Sequence, residues 1–182
     1  MNTSIYDIPL QALDGTPTSL APFKGQVILV VNVASKCGLT PQYAGLQALH
    51  DQFHQRGLQV AGFPCNDFAG QEPGSDGEIR DFCDTNYHIS FSLFAKLRIN
   101  SEPRHPLYVH LLAAQPQALA SGDPALRDTL AKHQLLPKGE ADVMWNFEKF
   151  LINREGQVVG RFSPDVAPND ARLISAIENA LG

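Results

Sequence analysis

Hydrophobic residues form two short continuous runs in the first third of the chain. Residues 26–34 (QVILVVNVA) and 58–64 (LQVAGFP) are both mostly apolar, and Asn32 interrupts the first run near its end. Short apolar runs without polar alternation are typical of central strands that are covered on both faces. The pattern therefore predicts two buried β-strands.

Other apolar residues recur at helical spacing. Three groups show it: Tyr43, Leu46, Leu49 and Phe53; Ile79, Phe82 and Cys83; Leu173, Ile174, Ile177, Ala180 and Leu181. Thr40 as N-cap, Pro41 as first helical residue and Gly57 as stop signal are expected to bound the first helix. Ser75 and Glu78 have the spacing of a capping box and are expected to open the second. The third group predicts a closing amphipathic helix.

Two β-hairpins complete the predicted elements. Residues 147–152 and 157–162 flank a polar turn, and an N-terminal hairpin is expected to turn at Asp14-Gly15. The order strand, helix, strand, helix, hairpin, helix is typical of a thioredoxin-like α/β fold. Residues 115–142 are long for a connection, so we interpret them as an insertion with a short helix that begins near Asp123-Pro124.

Composition fits one domain over residues 1–182. The chain is 43% hydrophobic and 18% charged, and its net charge is −5 without any run of Lys or Arg. This balance argues against a nucleic-acid or anionic-membrane partner. The apolar run at 27–34 is too short to span a bilayer. Residues 1–7 lack the basic and apolar regions of a signal peptide, and three cysteines are an odd set, so reduced thiols in a cytoplasmic protein are expected.

Cys37 is the first candidate for chemistry. It follows a predicted buried strand and precedes a predicted helix, and Lys36 is its neighbour. The partial positive charge of a helix amino terminus favours a thiolate, which is the nucleophilic form of cysteine. The alternative is a buried cysteine that only fills space. Local position favours a reactive thiol.

Three separated segments resemble the signature motifs of the glutathione peroxidase family. They are residues 32–40 (NVASKCGLT), 62–74 (GFPCNDFAGQEPG) and 145–151 (WNFEKFL), in the order in which the family has them. The resemblance implies a thioredoxin-like thiol peroxidase that reduces hydrogen peroxide or organic hydroperoxides. It implies no metal or other cofactor. It does not extend to an oligomeric state.

The resemblance implies that Cys37 is the peroxidatic residue and that Gln71, Trp145 and Asn146 surround it. The residue types suit this role, because amide and indole N–H groups can stabilise charge on sulfur and on the departing oxygen. Without the resemblance, Trp145 would be a core residue and Gln71 a solvated loop residue.

By the same resemblance, Cys83 occupies the position of the resolving cysteine of Cys-dependent members. There it condenses with the sulfenic acid to form a disulfide, a step that requires local unwinding of its helix. The alternative is an unreactive core thiol, and Cys65 is expected to be structural. A disulfide-forming enzyme would accept electrons from thioredoxin more readily than from glutathione, but either reductant is possible.

Some residues depart from the family pattern. Asp67 replaces a usual Gln, Ala69 a common Gly and Ser92 a usual Pro, which bears on rate and local geometry more than on reaction type. His50 and His54 have the spacing of a helical metal pair but no third ligand nearby, so a solvated helix flank is the preferred interpretation.

Three alternative functions remain. A protein thiol–disulfide oxidoreductase is disfavoured, because Cys37 opens C-x-x-T and not C-x-x-C. A peroxide-sensing relay would pass a disulfide from Cys37 to a partner protein. A non-catalytic binding domain would keep only the fold.

Overall fold

The computed structural model describes residues 3–182. Met1 and Asn2 belong to the segment 1–7 that was considered as a signal peptide, and they lie outside the described residues. The strands are β1 Leu10–Gln11, β2 Pro17–Thr18, β3 Val27–Val33, β4 Leu58–Pro64, β5 Ser92–Leu93, β6 Lys149–Ile152 and β7 Val158–Phe162. The helices are α1 Gln42–Phe53, α2 Asp76–Tyr87, α3 Pro106–Ala114, α4 Ala125–Lys132 and α5 Ala171–Leu181, and short 3₁₀ turns cover Ile5–Asp7, Ala21–Phe23 and His54–Arg56.

A five-stranded sheet with the order β5-β4-β3-β6-β7 is the centre of the fold. Strands β3 and β4 are parallel and in register from Val27–Leu58 to Val33–Pro64, whereas β6 is antiparallel to β3 and β7 is antiparallel to β6. All seven residues of β3 are buried, which confirms the prediction of a covered central strand. Because β3 and β4 are parallel and in register, the segments that follow them leave the sheet side by side. This arrangement brings the first two signature motifs together.

The first helix begins one residue later than predicted. Pro41 is the N-cap of α1, and the Thr40 side chain bonds back to the turn before the helix, so the predictions of Thr40 as N-cap and of Pro41 as first helical residue are wrong. The other helix signals are confirmed. Gly57 ends the helical segment at a φ of 107°, and Ser75 and Glu78 form both bonds of the capping box that opens α2.

Both predicted hairpins are present. Strands β1 and β2 pair around the Asp14-Gly15 turn, and β6 and β7 pair with one irregularity near Ile152. Strand β6 begins at Lys149 instead of residue 147, because Phe147 has a φ of 70°, which is incompatible with a strand.

Residues 115–142 contain α4, as expected, and its Leu130 joins the core. Leu119 connects the segment to the end of β7, since its N–H donates to the Arg161 carbonyl at 2.8 Å and its carbonyl accepts from the Ser163 N–H at 3.0 Å. The single-domain assignment stays a prediction. Strand β5 and helix α3 were not predicted from the sequence. In the described part of the chain, no helix has the length and apolar content needed to cross a membrane.

Candidate active site

Cys37 lies in the turn between β3 and α1. The backbone N–H of Leu39 donates to its Sγ at 3.3 Å, and its own N–H donates to Oγ1 of Thr40 at 3.0 Å. The Thr40 hydroxyl in turn donates to the Ala34 carbonyl at 2.8 Å, so Thr40 fixes the shape of the turn. Cys37 is 8% exposed. A backbone N–H aimed at Sγ can stabilise negative charge that develops on the sulfur during a reaction.

Gln71 is bound to the Cys37 turn through the backbone. The N–H of Lys36 donates to the Gln71 carbonyl at 3.0 Å. The side-chain Oε1 of Gln71 accepts from Nδ2 of Asn146 at 2.9 Å. This bond leaves the Gln71 amide N–H groups as donors for other partners. The first, second and third signature motifs therefore meet, as their separate resemblance implied.

Asn32 holds the third motif against the end of β3. The Asn32 side-chain Nδ2 donates to the Trp145 backbone carbonyl at 3.1 Å, and the Asn32 backbone carbonyl accepts from the Phe147 N–H at 2.6 Å. Sequence reasoning assigned Asn32 no role, although a polar residue near the end of an apolar strand was the available signal. Its two bonds position Trp145 and Asn146 in the loop just before β6.

Trp145 is packed, which is the environment expected of it without the resemblance, and its place beside Cys37 stays a prediction. The ring is 6% exposed and packs edge-on against Phe68, with 5.8 Å between ring centroids. It is thus a packed residue, and it also directly precedes Asn146, which bonds Gln71.

Cys83 lies on α2 and is 1% exposed. Burial raises the pKa of its thiol to about 11, the nearby Tyr43 hydroxyl opposes this effect, and the charge of Glu72 adds to it. Cys37, Cys65 and Cys83 are all free thiols. In this state Cys83 is a protonated thiol at neutral pH, which makes it a poor nucleophile without help.

Cys65 is fully buried at the end of β4. Burial raises the pKa of its thiol far above the usual range, and the Asp67 N–H donates to its sulfur at 3.4 Å. An inert structural thiol is the interpretation that these surroundings support.

The Asp67 substitution has a local structural explanation. Its carboxylate accepts four hydrogen bonds, from the N–H groups of Ile99, Asn100 and Ser101 and from the Ser101 hydroxyl. Burial alone would raise the pKa of Asp67, but these bonds outweigh it and hold the pKa below its usual range. The negative charge of Asp67 is therefore stabilised by hydrogen bonds from residues 99–101.

The other two departures concern the backbone. Ala69 has a φ of 56°, a left-handed conformation that suits the glycine common in the family. Ser92 pairs with Ala61 on edge strand β5, where proline is also tolerated.

Sequence reasoning missed the buried charges around the site. Lys149 donates to Oε1 of Gln42 and to the carbonyls of Pro164 and Val166, at 2.6–2.9 Å. The only sign of this in the sequence was the pair of charged residues, Glu148 and Lys149, within the otherwise mostly apolar third motif. Glu72, quoted only as part of the second motif, is likewise buried.

The two histidines of the weak metal motif stack on each other. The rings of His50 and His54 lie 4.9 Å apart at 18°. Across residues 3–182, no group of three or more His, Cys, Asp or Glu side chains has an arrangement that could hold a metal ion.

Comparison with known proteins gives the family. The family model described as glutathione peroxidase matches residues 5–112. The chain is 45% identical to the thioredoxin/glutathione peroxidase BtuE of Escherichia coli (strain K12), over 100% of this chain and 99% of that one. It is 46% identical to the hydroperoxy fatty acid reductase gpx1 of Synechocystis sp., over 93% and 92% of the two chains.

Solved structures of other proteins are also similar to this chain. The crystal structure of T. cruzi GPX1 is 31% identical, with a TM-score of 0.72 over 99% of this chain and 97% of that one. A thiol:disulfide interchange protein of the thioredoxin family from Chlorobium tepidum has a TM-score of 0.59 at 15% identity, over 100% and 99% of the chains, which confirms the thioredoxin-like fold alone. Since the family model covers more than half of the chain and these relatives span nearly all of it, the chain belongs to the glutathione peroxidase family and is a peroxidase of the oxidoreductase class.

Proposed function

We propose that this peroxidase uses Cys37 as its peroxidatic residue. The Cys37 thiolate attacks one oxygen of the hydroperoxide, the O–O bond breaks, and the departing oxygen takes a proton to leave as water or an alcohol, while Cys37 becomes a sulfenic acid. The observation that carries the proposal is the N–H of Leu39, which is aimed at Cys37 Sγ. The residue before Cys37, Lys36, is joined to Gln71 by a backbone hydrogen bond.

Gln71, Trp145 and Asn146 act as donors in this step. Their N–H groups stabilise negative charge on the Cys37 sulfur and on the departing oxygen, and none of these groups titrates near neutral pH. The bond between Asn146 and Gln71 supports this role, because it holds two of the donors in one arrangement next to the Cys37 turn.

Cys83 then resolves the sulfenic acid. Its thiol sulfur forms a disulfide with Cys37, and the sulfenic oxygen leaves as water. Burial of Cys83 in α2 supports a mechanism in which α2 opens locally before the bond forms.

Thioredoxin is the proposed reductant, with glutathione as the second candidate. A protein disulfide is a substrate for the dithiol of thioredoxin, and the E. coli relative carries both reductants in its name. The substrate class is hydrogen peroxide and organic hydroperoxides, and two relatives are named as hydroperoxy fatty acid reductases. An odd number of cysteines in a chain large enough to fold without disulfides supports a reducing, cytoplasmic setting.

The test is to add a small excess of hydrogen peroxide to the reduced protein and to map its thiols by non-reducing peptide mass spectrometry. We expect a Cys37–Cys83 disulfide and an unmodified Cys65. Cys65→Ser is the matched control and should give the same product. Oxygen on Cys37 alone would contradict the resolving step and favour an external thiol such as glutathione. Three unmodified thiols would contradict the whole proposal.

Turnover separates the enzyme from a peroxide-sensing relay. We expect continuous peroxide consumption when thioredoxin, its reductase and NADPH are supplied. A stable mixed disulfide between Cys37 and one other protein, without steady turnover, would favour the relay.

A further inference from the structure

Lys149 is a fully buried cation at the start of β6. Its side chain is 0% exposed, and its ammonium donates to Oε1 of Gln42 at 2.7 Å and to the carbonyls of Pro164 and Val166 at 2.9 and 2.6 Å. These bonds use all three ammonium hydrogens. The acceptors are uncharged, so hydrogen bonds alone offset the cost of removing this charge from water.

Lys149 forms no ion pair with a carboxylate among residues 3–182. The acidic residues that act on its charge are Glu148 and Asp165, and both are engaged elsewhere. Glu148 forms an ion pair with Arg161 at 2.7 Å, and Asp165 accepts from two serine hydroxyls. Burial therefore lowers the pKa of Lys149 to about 7, since these carboxylates only partly oppose it. A methionine would fill similar space without this cost, so the charged group requires an explanation beyond packing.

Gln42 connects the buried ammonium with the Cys37 turn. It is the first residue of α1, and its carboxamide both accepts from Lys149 and donates to the Pro164 carbonyl at 2.8 Å. The backbone N–H of Gln42 donates to the Leu39 carbonyl at 2.9 Å. The N–H of Leu39 is the group aimed at Cys37 Sγ, at 3.3 Å. A series of hydrogen bonds, which passes through Gln42 and Leu39, therefore joins the Lys149 ammonium to the Cys37 sulfur.

The Leu39 N–H depends on such bonds for its direction, because the turn around it is open. Gly38 is exposed, and a Cβ on Gly38 would meet nothing within 4 Å beyond its chain neighbours. The start of α1 is held more tightly. A Cβ on Gly45 would lie 2.8 Å from Cβ of Pro168, which belongs to the same loop as the two carbonyls that Lys149 binds. The packed side of this junction can therefore fix the open side.

We propose that Lys149 is a positioning residue for the peroxidatic step and acts through Gln42 to hold the Leu39 N–H against Cys37 Sγ. The inference rests on the proposed function. Lys149 contacts neither the sulfur nor the hydroperoxide in this step. It keeps in place a donor that favours the negative charge that the sulfur carries when it attacks. A donor that is fixed in advance lowers the barrier, and a small displacement of it raises the barrier.

The alternative is that Lys149 only fastens the β6–β7 hairpin to the loop after β7. Its bonds to the Pro164 and Val166 carbonyls are sufficient for that role. The bond to Gln42 is not needed for it, because Gln42 already donates to the Pro164 carbonyl. The two interpretations therefore differ in the effect expected when the bond between Lys149 and Gln42 is removed.

The test compares Lys149→Met, Gln42→Met and the double variant with wild type. Rapid-quench mass spectrometry at pH 6, below the Lys149 pKa, follows the loss of the Cys37 thiol after a pulse of hydrogen peroxide. Urea unfolding identifies conditions in which every variant is folded. If Lys149→Met does not fold, Gln42→Met still decides the question, because Gln42 is only half-buried and its substitution leaves Lys149 two acceptors.

Arg154→Met is the matched control. The Arg154 guanidinium is a half-buried cation that also donates to three backbone carbonyls, but these lie near the amino end of β3, whereas Cys37 follows the carboxyl end. Its loss should lower stability and leave Cys37 oxidation within about twofold of wild type.

The expected rates follow from the series of bonds. Cys37 oxidation should slow about 10- to 100-fold in Lys149→Met and about 10-fold in Gln42→Met. The double variant should be no slower than Lys149→Met alone, because both substitutions interrupt the same series.

The Leu39 amide gives a spectroscopic signature that a purely structural role would not change. In heteronuclear NMR spectra of the reduced protein, its proton resonance should shift upfield and its hydrogen exchange should accelerate in Lys149→Met and in Gln42→Met. Both properties should match wild type in Arg154→Met.

Different results separate the inference from the function on which it rests. Oxidation of Cys37 at the wild-type rate in folded Gln42→Met would overturn the positioning role and leave the proposed function intact. Additive slowing in the double variant, or slower oxidation with an unchanged Leu39 amide, would assign Lys149 a structural role only. A wild-type protein whose Cys37 does not react with hydrogen peroxide would instead refute the proposed function.

Discussion

Arg161 connects the hairpin at the edge of the sheet with both ends of the 115–142 segment. Its guanidinium donates to Glu148 Oε2 at 2.8 Å, to the Gln115 carbonyl at 3.0 Å and to the Asp142 carbonyl at 3.0 Å. The side chains of the ion pair are only 3% and 1% exposed. We therefore expect Arg161→Met to destabilise the protein strongly, although methionine fills similar apolar space.

The magnitude follows from what remains after the substitution. Among the described contacts, the buried Glu148 carboxylate would keep one hydrogen bond, from the Met144 N–H at 3.1 Å, and the Gln115 and Asp142 carbonyls would each lose a donor. Removing one partner of a buried ion pair costs about 3–5 kcal/mol in the free energy of unfolding. The double variant Glu148→Met/Arg161→Met removes the orphaned charge and should recover at least about 2 kcal/mol of that loss.

The pH dependence has a definite sign. Burial already raises the pKa of Glu148, with Arg161 opposing the shift, so without Arg161 the folded-state pKa rises further. A carboxyl with a raised folded-state pKa binds its proton more tightly when folded, and stability is lost as pH rises through that pKa. The deficit of Arg161→Met should therefore be smaller at pH 5 than at pH 7.

Urea unfolding followed by circular dichroism measures these free energies. Arg80→Met is a suitable control, because the Arg80–Asp81 ion pair is exposed to solvent and the substitution should leave the free energy of unfolding nearly unchanged. A loss below about 1 kcal/mol for Arg161→Met, or a double variant no more stable than the single one, would refute the reasoning.

Three further predictions concern the site and its support. Gln71→Ala and Asn146→Ala should each slow Cys37 oxidation about 100-fold without changing its product, measured by stopped-flow fluorescence after peroxide addition; loss of less than threefold would contradict a donor role. Ala69→Gly should raise the free energy of unfolding by about 0.5–1 kcal/mol, because glycine relieves the left-handed conformation at a φ of 56°, and an unchanged urea midpoint would argue against strain there. Burial lowers the pKa of Lys149 to about 7, so the unfolded chain binds more protons above that pH and stability should rise by about 1–2 kcal/mol from pH 7 to pH 8.5; the rise should be absent in Lys149→Met, and its persistence there would assign it to another group.

The helices and strands with local sequence signals could be predicted, because each signal depends on residues close together in the chain. The apolar runs of β3 and β4, the capping box at Ser75 and the left-handed stop at Gly57 depend on neighbouring residues, and all three kinds of signal are confirmed. Thr40 shows the limit of such signals. Its hydroxyl has two possible sets of backbone partners, and the choice of the Cys37 turn over the helix depends on how that turn is packed.

The sequence by itself determined most of the elements and the thioredoxin-like order through local patterns, and it determined the family because three motifs carry that information in residue identity. Only the tertiary structure decided how the motifs meet. The bonds from Asn32 to the 145–147 backbone and from Asn146 to Gln71 join residues more than 70 positions apart, and no local pattern encodes such pairs. Burial is likewise a property of the whole fold: it turns Glu72, Lys149 and Glu148, which read as ordinary charged residues, into groups with shifted pKa values.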